Sequence, residues 1–283
     1  MDLKMSDKTP EVLISKQDAP NPAKAKTNRK SNPVKTRHKK IRRQVQTKGF
    51  VTIEALAKKF GVTPQTIRRD INTLSNLGWV QRYHGGAGMT SSTENVAYTE
   101  RKVLCFHEKN KIANLLARNI PDQSSLFINI GTTTEAIAKA LGNHKKLRVI
   151  TNNLNVASMM SINKDFEVIV AGGLVRHRDR GIIGEATIDF IGQFKVDYGI
   201  IGISGIDLDG TLLDFDYREV RAARAIIDNS RKVFLAADHT KFGRNAMVRL
   251  GNIAEIDGLF TDRQPPPAFA ELLSAMDIRL HVA

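Results

Sequence analysis

The sequence predicts an α/β protein in two unequal parts: an N-terminal winged helix-turn-helix and, behind it, a mostly parallel α/β sheet covered on both faces. Three observations predict it. Positive charge is concentrated at the front: residues 1–84 hold 19 Lys and Arg against 6 Asp and Glu, whereas residues 85–283 hold 24 against 23. Two short amphipathic stretches joined by a glycine turn lie within residues 50–78. From Ser125 onward short apolar runs alternate with helical ones, the pattern of strands buried on both sides.

A chain of 283 residues that is 41% hydrophobic is long enough for about two domains with their own cores. A formal net charge of +14 suits nucleic acid, an anionic membrane surface or an acidic partner. The excess sits almost wholly before residue 85, so the back two-thirds reads as a neutral globular body. Cys105 is the only cysteine, so no disulfide forms within the chain, which fits a reducing compartment. No apolar run reaches the length of a membrane-spanning helix, and the Lys-, Pro- and Asn-rich start lacks the apolar segment of a secretory signal. The expectation is a soluble, cytoplasmic protein with no membrane partner.

Residues 1–35 have the composition of a disordered basic tail. Two readings stay open for it: a solvated tail (or a start codon set too early), and an arm that adds affinity for phosphates. Residues 36–88 form the expected winged helix-turn-helix. Residues 36–47 read as a helix with Ile41 and Val45 on one face. Thr52 is placed to cap IEALAKKF, whose Leu56 and Phe60 face inward, and Gly61 supplies the left-handed residue that turns the chain. Thr63 caps the next helix and Pro64 takes its first position, where a missing N–H costs nothing. Ile67, Ile71, Leu74 and Leu77 form one inner stripe, and Gly78 stops the helix. WVQRYHGG then forms a two-stranded wing, with Arg82 and His84 on one side and Tyr83 on the other.

That second helix leaves Gln65, Thr66, Arg68, Arg69 and Asn72 pointing outward. A recognition helix needs an apolar back and a front of long polar side chains, in which Arg bonds guanine and Gln bonds adenine bidentately. Taken alone, TIRRDINTL is equally an amphipathic surface helix with solvated arginines. The charge asymmetry, the Gly61 turn, the Thr-Pro cap and the wing favour DNA. With Thr63 at the helix start and Arg82 and His84 on the wing, these residues make up the expected DNA-binding set.

Residues 89–119 are expected to be a polar linker, MTSSTEN, and a helical stretch over 96–119 that is either a connecting helix or part of a subunit contact. Residues 120–283 form the expected sensing domain. Its strands are SLFINI (125–130), LRVIT (147–151), FEVIVA (166–171), VDYGIIGIS (196–204), KVFLAAD (232–238), GLFT (258–261) and IRLHV (278–282). Helices are expected at 135–141, 155–161, 186–194, 219–229 and 269–276.

In such sheets ligands bind beyond the carboxyl ends of the strands. After SLFINI, Gly131, Thr132 and Thr133 open a helix, combining close backbone approach, hydroxyls and free N–H groups; this is chemistry for an anion such as phosphate, although threonines there also serve as plain caps. Asn152 follows LRVIT, Gly172 follows FEVIVA, and Lys241 follows KVFLAAD, where it is either a point charge for a phosphate or a solvated lysine. Asp214, Asp216 and Glu219 form an acidic group that either pairs with Arg218, Arg221 or Arg224 or serves ligand hydroxyls. No Cys/His cluster has metal-ligand spacing, and neither a Walker loop nor a G-x-G-x-x-G follows a strand. No metal, cofactor or catalytic residue is expected.

VTPQTIRRDINTLSNLGWVQRYHGGA closely resembles the winged helix-turn-helix of the DeoR family of bacterial regulators. GTTTEAIA, ITNNLNVA, VAGGLVR, GISGIDLDGTLLDFDYREV and ADHTKFGRNAMV are similar to that family's sugar-phosphate-sensing domain. The resemblance runs from about residue 37 to the end. It implies that Gln65, Thr66, Arg68 and Arg69 touch operator DNA, and that Gly131, Thr132, Thr133, Asn152, Gly172 and Lys241 surround a phosphorylated effector. It implies a repressor released by glycerol 3-phosphate or a similar metabolite, working as a homo-oligomer, a dimer or tetramer. One departure stands out: Asn129 occupies a position where many members carry Asp. The sensing domain is also similar in fold to ribose-5-phosphate isomerase, which makes a sugar-phosphate isomerase the rival reading. In GISGIDLDG, however, Ser204 stands where the isomerase's acid is expected and no lysine follows before Arg218, so a general base and an electrophile are both missing.

Overall fold

The structure, a computed structural model, describes residues 33–283 apart from 49, 78, 84, 89–94 and 96. Helix α1 (Pro33–Lys48) leads into strand β1 (Phe50–Thr52). Helix α2 (Ile53–Phe60) starts where the Thr52 side chain accepts the Ala55 N–H and ends at Gly61, whose φ of 62° only glycine adopts without strain. Helix α3 (Pro64–Asn76) is capped by Thr63, which accepts the Thr66 N–H. Ile67, Ile71 and Leu74 are fully buried in one core with Ile41, Val45, Leu56 and Val80. Leu77 departs from the expected stripe. It lies just past the helix at the cap position and is exposed, so the inner face ends at Leu74. Gly78 and the tail through residue 32 lie outside the described residues.

Strands β2 (Gln81–Tyr83) and β3 (Gly86–Gly88) form the wing, and β1 pairs with the other edge of β3. The expected two-stranded wing is therefore a three-stranded sheet. Gly86 lies against the Phe50 ring and the Val51 carbonyl, which leave no room for a Cβ.

The helical stretch expected over 96–119 is two helices: α4 (Tyr98–Val103) and α5 (Phe106–Ala117). The break falls at Cys105, which adopts φ 53°. It lets Leu104 and Cys105 pack with Phe50 and Tyr83, a small apolar cluster that joins head to body. Burial pushes the Cys105 thiol up to about 12, so it is held protonated and unreactive.

In the body, β4 (Ser125–Ile128), α6 (Thr132–Ala140), β5 (Arg148–Thr151), α7 (Leu154–Met160) and β6 (Glu167–Val170) run outward to one edge. A hairpin of β7 (Leu174–Val175) and β8 (Ile182–Ile183) and helix α8 (Glu185–Ile191) follow. The chain then returns to the other side of β4 as β9 (Val196–Gly202). Next come β10 (Gly205–Ile206), β11 (Thr211–Asp214), α9 (Tyr217–Asp228), β12 (Ser230–Ala236) and β13 (Val248–Asn252). The fold closes with β14 (Gly258–Thr261), α10 (Pro267–Ala275) and β15 (Arg279–Val282).

Seven strands form one parallel sheet in the order β15-β14-β12-β9-β4-β5-β6, each within a few residues of an expected strand. Helices α5, α6 and α7 cover one face through Ile112, Leu116, Ile137 and Met160; α8, α9 and α10 cover the other through Ile191, Ile226 and Leu273. The small antiparallel sheet β10-β11-β13 was not expected. The order of strand addition reverses between β4 and β9. Loops leaving that switch point diverge and open a crevice at the carboxyl ends.

Candidate functional site

Two surfaces carry the expected site residues. On α3, Gln65, Arg68, Arg69 and Asn72 are exposed and Thr66 is half-buried, while Arg82 is exposed on β2. Asp70, the only acidic residue of α3, is turned inward. It accepts from Arg37 Nε and Nη2 at 2.5 and 3.0 Å and lies 2.9 Å from His38 Nε2. The outer face of α3 is thereby left cationic, as a helix bound for a phosphate-lined groove requires. Thr63 is partly committed elsewhere: its hydroxyl caps α3 and meets Thr66 Oγ1 at 2.9 Å. His84 lies outside the described residues.

The second surface is a cavity at the β4/β9 switch point. Gly131, Thr132 and Thr133 line it after β4, and Ser204 after β9; Arg101, Asp214, Glu219 and Lys241 complete its polar wall. No side chain caps the start of α6, so its first N–H groups are open to a guest. The Gly131 turn is held from below: Thr134 Oγ1 donates to the Asn129 and Gly131 carbonyls at 2.7 and 2.8 Å. Asn129 itself is buried, and its side-chain oxygen accepts the Ile130 N–H, a local brace rather than a wall of the cavity.

Lys241 is buried. Among the described residues its ammonium makes no hydrogen bond or ion pair. Burial lowers its pKa to about 7; Asp238 opposes that shift, while Arg244, Lys109 and Arg101 add to it. An anion entering the cavity would restore the charge. Asp214 and Glu219 face the same space. Burial raises both, Asp214 further raises Glu219, and Arg176 holds Glu219 back. The cavity thus brings the cationic Lys241 and Arg101 and the carboxyl groups of Asp214 and Glu219 together beside the uncapped start of α6, groups able to meet a phosphate and hydroxyls. Among the described residues no group of three or more His, Cys, Asp or Glu is arranged to hold a metal ion.

Three expectations need correction. Asn152 does not line this cavity: it is buried, and its amide donates to the Ile182 carbonyl at 3.1 Å. Gly172 is also outside it, with its carbonyl accepting from Thr187 Oγ1 at 2.8 Å. Both sit at strand ends away from the switch point: Asn152 is buried against β8 after β5, and Gly172 is exposed after β6. The acidic group pairs mainly with Arg176, which bonds Asp179 at 2.8 and 2.6 Å, Asp216 at 2.8 Å and Glu219 at 2.7 Å. Of the three arginines expected there, Arg218 reaches Asp216, but Arg221 turns to Glu185 and Arg224 to Asp228 and Glu255.

Arg101, Lys109, Arg176 and Ser204 were not singled out as site residues. Lys109 is buried; it donates to the Arg101 carbonyl and, at 2.9 Å, to Thr132 Oγ1. Ser204 Oγ donates to Asp214 at 3.0 Å. Cationic side chains within an amphipathic segment were the available signal for Arg101 and Lys109, but only the fold shows that they turn inward.

Residues 37–93 match the family described as DeoR-like helix-turn-helix domain, and residues 105–263 match that described as DeoR C terminal sensor domain. The chain belongs to the DeoR family. Within the family it is similar to the glycerol-3-phosphate regulon repressor of Escherichia coli K12, with 52% identity over 246 residues, covering 87% of this chain and 98% of that one. The repressor of the same name from Haemophilus influenzae is 52% identical over 229 residues, 81% of this chain and 89% of that one. The HTH-type transcriptional repressor CsqR of E. coli is 41% identical over 244 residues, 86% and 94% of the two chains. Among solved structures, ribose 5-phosphate isomerase A from Neisseria gonorrhoeae aligns with a TM-score of 0.35 and 14% identity, over 47% of this chain and 52% of that one, too slight a likeness to carry an argument. Among the described residues no helix is long and apolar enough to cross a membrane.

Proposed function

We propose that this DeoR-family chain represses transcription of genes for glycerol or glycerol 3-phosphate metabolism and leaves its operator when a phosphorylated metabolite, first of all glycerol 3-phosphate, fills the switch-point cavity. One observation carries the reading: the buried Lys241, whose ammonium makes no hydrogen bond or ion pair among the described residues, shares a cavity with the uncapped start of α6 and with the Asp214 and Glu219 carboxyl groups. Phosphate suits the first two, and glycerol hydroxyls suit the carboxylates. The names of the relatives support the same ligand. Gln65, Thr66, Arg68, Arg69 and Asn72 read base edges and phosphates, and Arg82 supports them from the wing.

A ligand shifts DNA binding only if it prefers one arrangement of head and body. In this reading glycerol 3-phosphate prefers the arrangement that does not fit the operator. The repressor acts as a homo-oligomer, dimer or tetramer, because one head reads too few bases for specificity, and it works in the cytoplasm.

The chain is not an enzyme in this reading. Glu219 is engaged by Arg176 and Asp214 by Ser204, which supports binding rather than proton transfer. A band shift on the gene's own upstream region tests the proposal, with glycerol 3-phosphate, fructose phosphates and ribose 5-phosphate added in turn. Release by glycerol 3-phosphate alone is expected. Release only by another sugar phosphate would move the regulon to another catabolic operon, and turnover of ribose 5-phosphate without DNA would replace the repressor with an isomerase.

A further inference from the structure

The effector cavity has one wall that belongs to neither matched region. Arg101 lies on α4, between the helix-turn-helix match ending at 93 and the sensor match starting at 105, yet it lines the cavity with Gly131, Thr132 and Lys241. Its backbone is fastened to the anion-binding turn, because Lys109 bridges the Arg101 carbonyl and Thr132 Oγ1. The helix that carries it is docked on α6 as well: Tyr98 donates to Glu135 and accepts from Asn155.

The guanidinium itself is poorly satisfied. It lies over the Tyr98 ring, 5.9 Å from the centroid, but its Nε is buried with no hydrogen-bond partner among the described residues. Its Nη2 lies 3.7 Å from Asp179, a carboxylate whose two oxygens already receive Arg176 at 2.8 and 2.6 Å. A planar fork with an open Nε donor, lining a cavity that also holds a buried lysine, matches the bidentate geometry of a phosphate.

We propose that Arg101 grips the effector's phosphate together with Lys241, so that the junction helix rather than the sensor domain alone completes the binding site. This rests on the reading of the cavity as a site for a phosphorylated metabolite. It also gives the ligand a handle on the head. Three and four residues after Arg101, Leu104 and Cys105 pack against Phe50 and Tyr83 of the wing sheet, so a pull on Arg101 is felt at the base of the DNA-reading unit.

Calorimetric titration of the full-length protein with glycerol 3-phosphate, ribose 5-phosphate and fructose 6-phosphate tests this. Arg101→Ala is expected to weaken the phosphorylated ligand that the wild type binds by roughly tenfold or more, and Arg101→Lys to recover part of the loss by keeping charge without the fork. The ligand-free melting midpoint should stay unchanged, whereas a merely structural role would lower it and leave the affinity of the folded fraction intact. Should Arg101→Ala fail to fold, Arg101→Gln decides by the same criterion. Affinity equal to wild type in a folded variant overturns the role of Arg101 and leaves the cavity reading standing. A wild type that binds none of the three overturns both.

Discussion

The Arg244 guanidinium lies over the Tyr83 ring, 5.5 Å from its centroid, and so ties the sensing body to the wing of the head. It also stacks 5.0 Å from the Phe215 centroid and donates to the Ser204 carbonyl at 3.0 Å and to Asn95 at 2.9 Å. Ser204 lines the cavity, so one buried side chain touches both the ligand wall and the head. Arg244→Ala should remove the link while sparing Lys241 and the Gly131 turn. The expected variant still binds effector but loses most of the ligand-induced change in operator affinity. Full, wild-type-like release in a band shift would sink the assignment.

Arg68 makes no ion pair among the described residues and stands on the exposed face of α3. Arg68→Ala should cost about 1–3 kcal/mol at the cognate operator and relax base preference at one position of each half-site. Competition against operators substituted base by base checks it; an unchanged preference would move recognition elsewhere.

Lys241 links effector binding to pH. Burial holds the free protein's ammonium near 7, and an anionic ligand would raise that value. Binding then takes up a proton, so affinity should be favoured at lower pH and fall by up to roughly tenfold per unit above about pH 7, until the bound-state pKa is reached. Titration calorimetry in buffers of different ionisation enthalpy measures the uptake. In Lys241→Met the ammonium's share of that uptake should vanish and only the share of Glu219, itself raised by burial to about 7, should remain; affinity should drop, and operator binding should persist.

Asp70 holds α1 against α3. Its carboxyl is kept below the usual range: burial alone would raise it, but the hydrogen bonds from Arg37 and His38 win. A depressed folded pKa stabilises above the unfolded value of about 3.8 and loses that contribution as pH falls through the folded value. Asp70→Ala should therefore destabilise the head by about 2 kcal/mol at neutral pH, after allowing for solvent screening at the edge of the pair. The difference from wild type should shrink below about pH 4. Denaturant melts at several pH values follow it.

The parallel sheet was legible because Leu126, Phe127 and Ile128, like Ile200, Ile201 and Leu235, are buried on both faces and so form near-continuous apolar runs. The head was legible from Thr63, Pro64 and Gly61, whose local chemistry starts and stops helices whatever surrounds them. The β10-β11-β13 sheet escaped because none of its strands, Gly205–Ile206, Thr211–Asp214 and Val248–Asn252, carries an apolar run longer than two residues. Arg176 escaped for another reason. It lies in a polar loop and acquires its meaning from Asp216 and Glu219, 40 and 43 positions away. The break at Cys105 has no local cause in VLCF; packing of Leu104 and Cys105 on the wing selects it.

Cys105 has a further, practical consequence. The chain's only thiol is buried and held at about 12, far from the range in which maleimides or spin-label reagents attack. A cysteine placed at an exposed position such as Gln65 would then be the one reactive group per chain. In the proposed dimer, probes attached there, one on each copy, would report the separation of the two heads before and after effector is added, without first engineering a cysteine-free background.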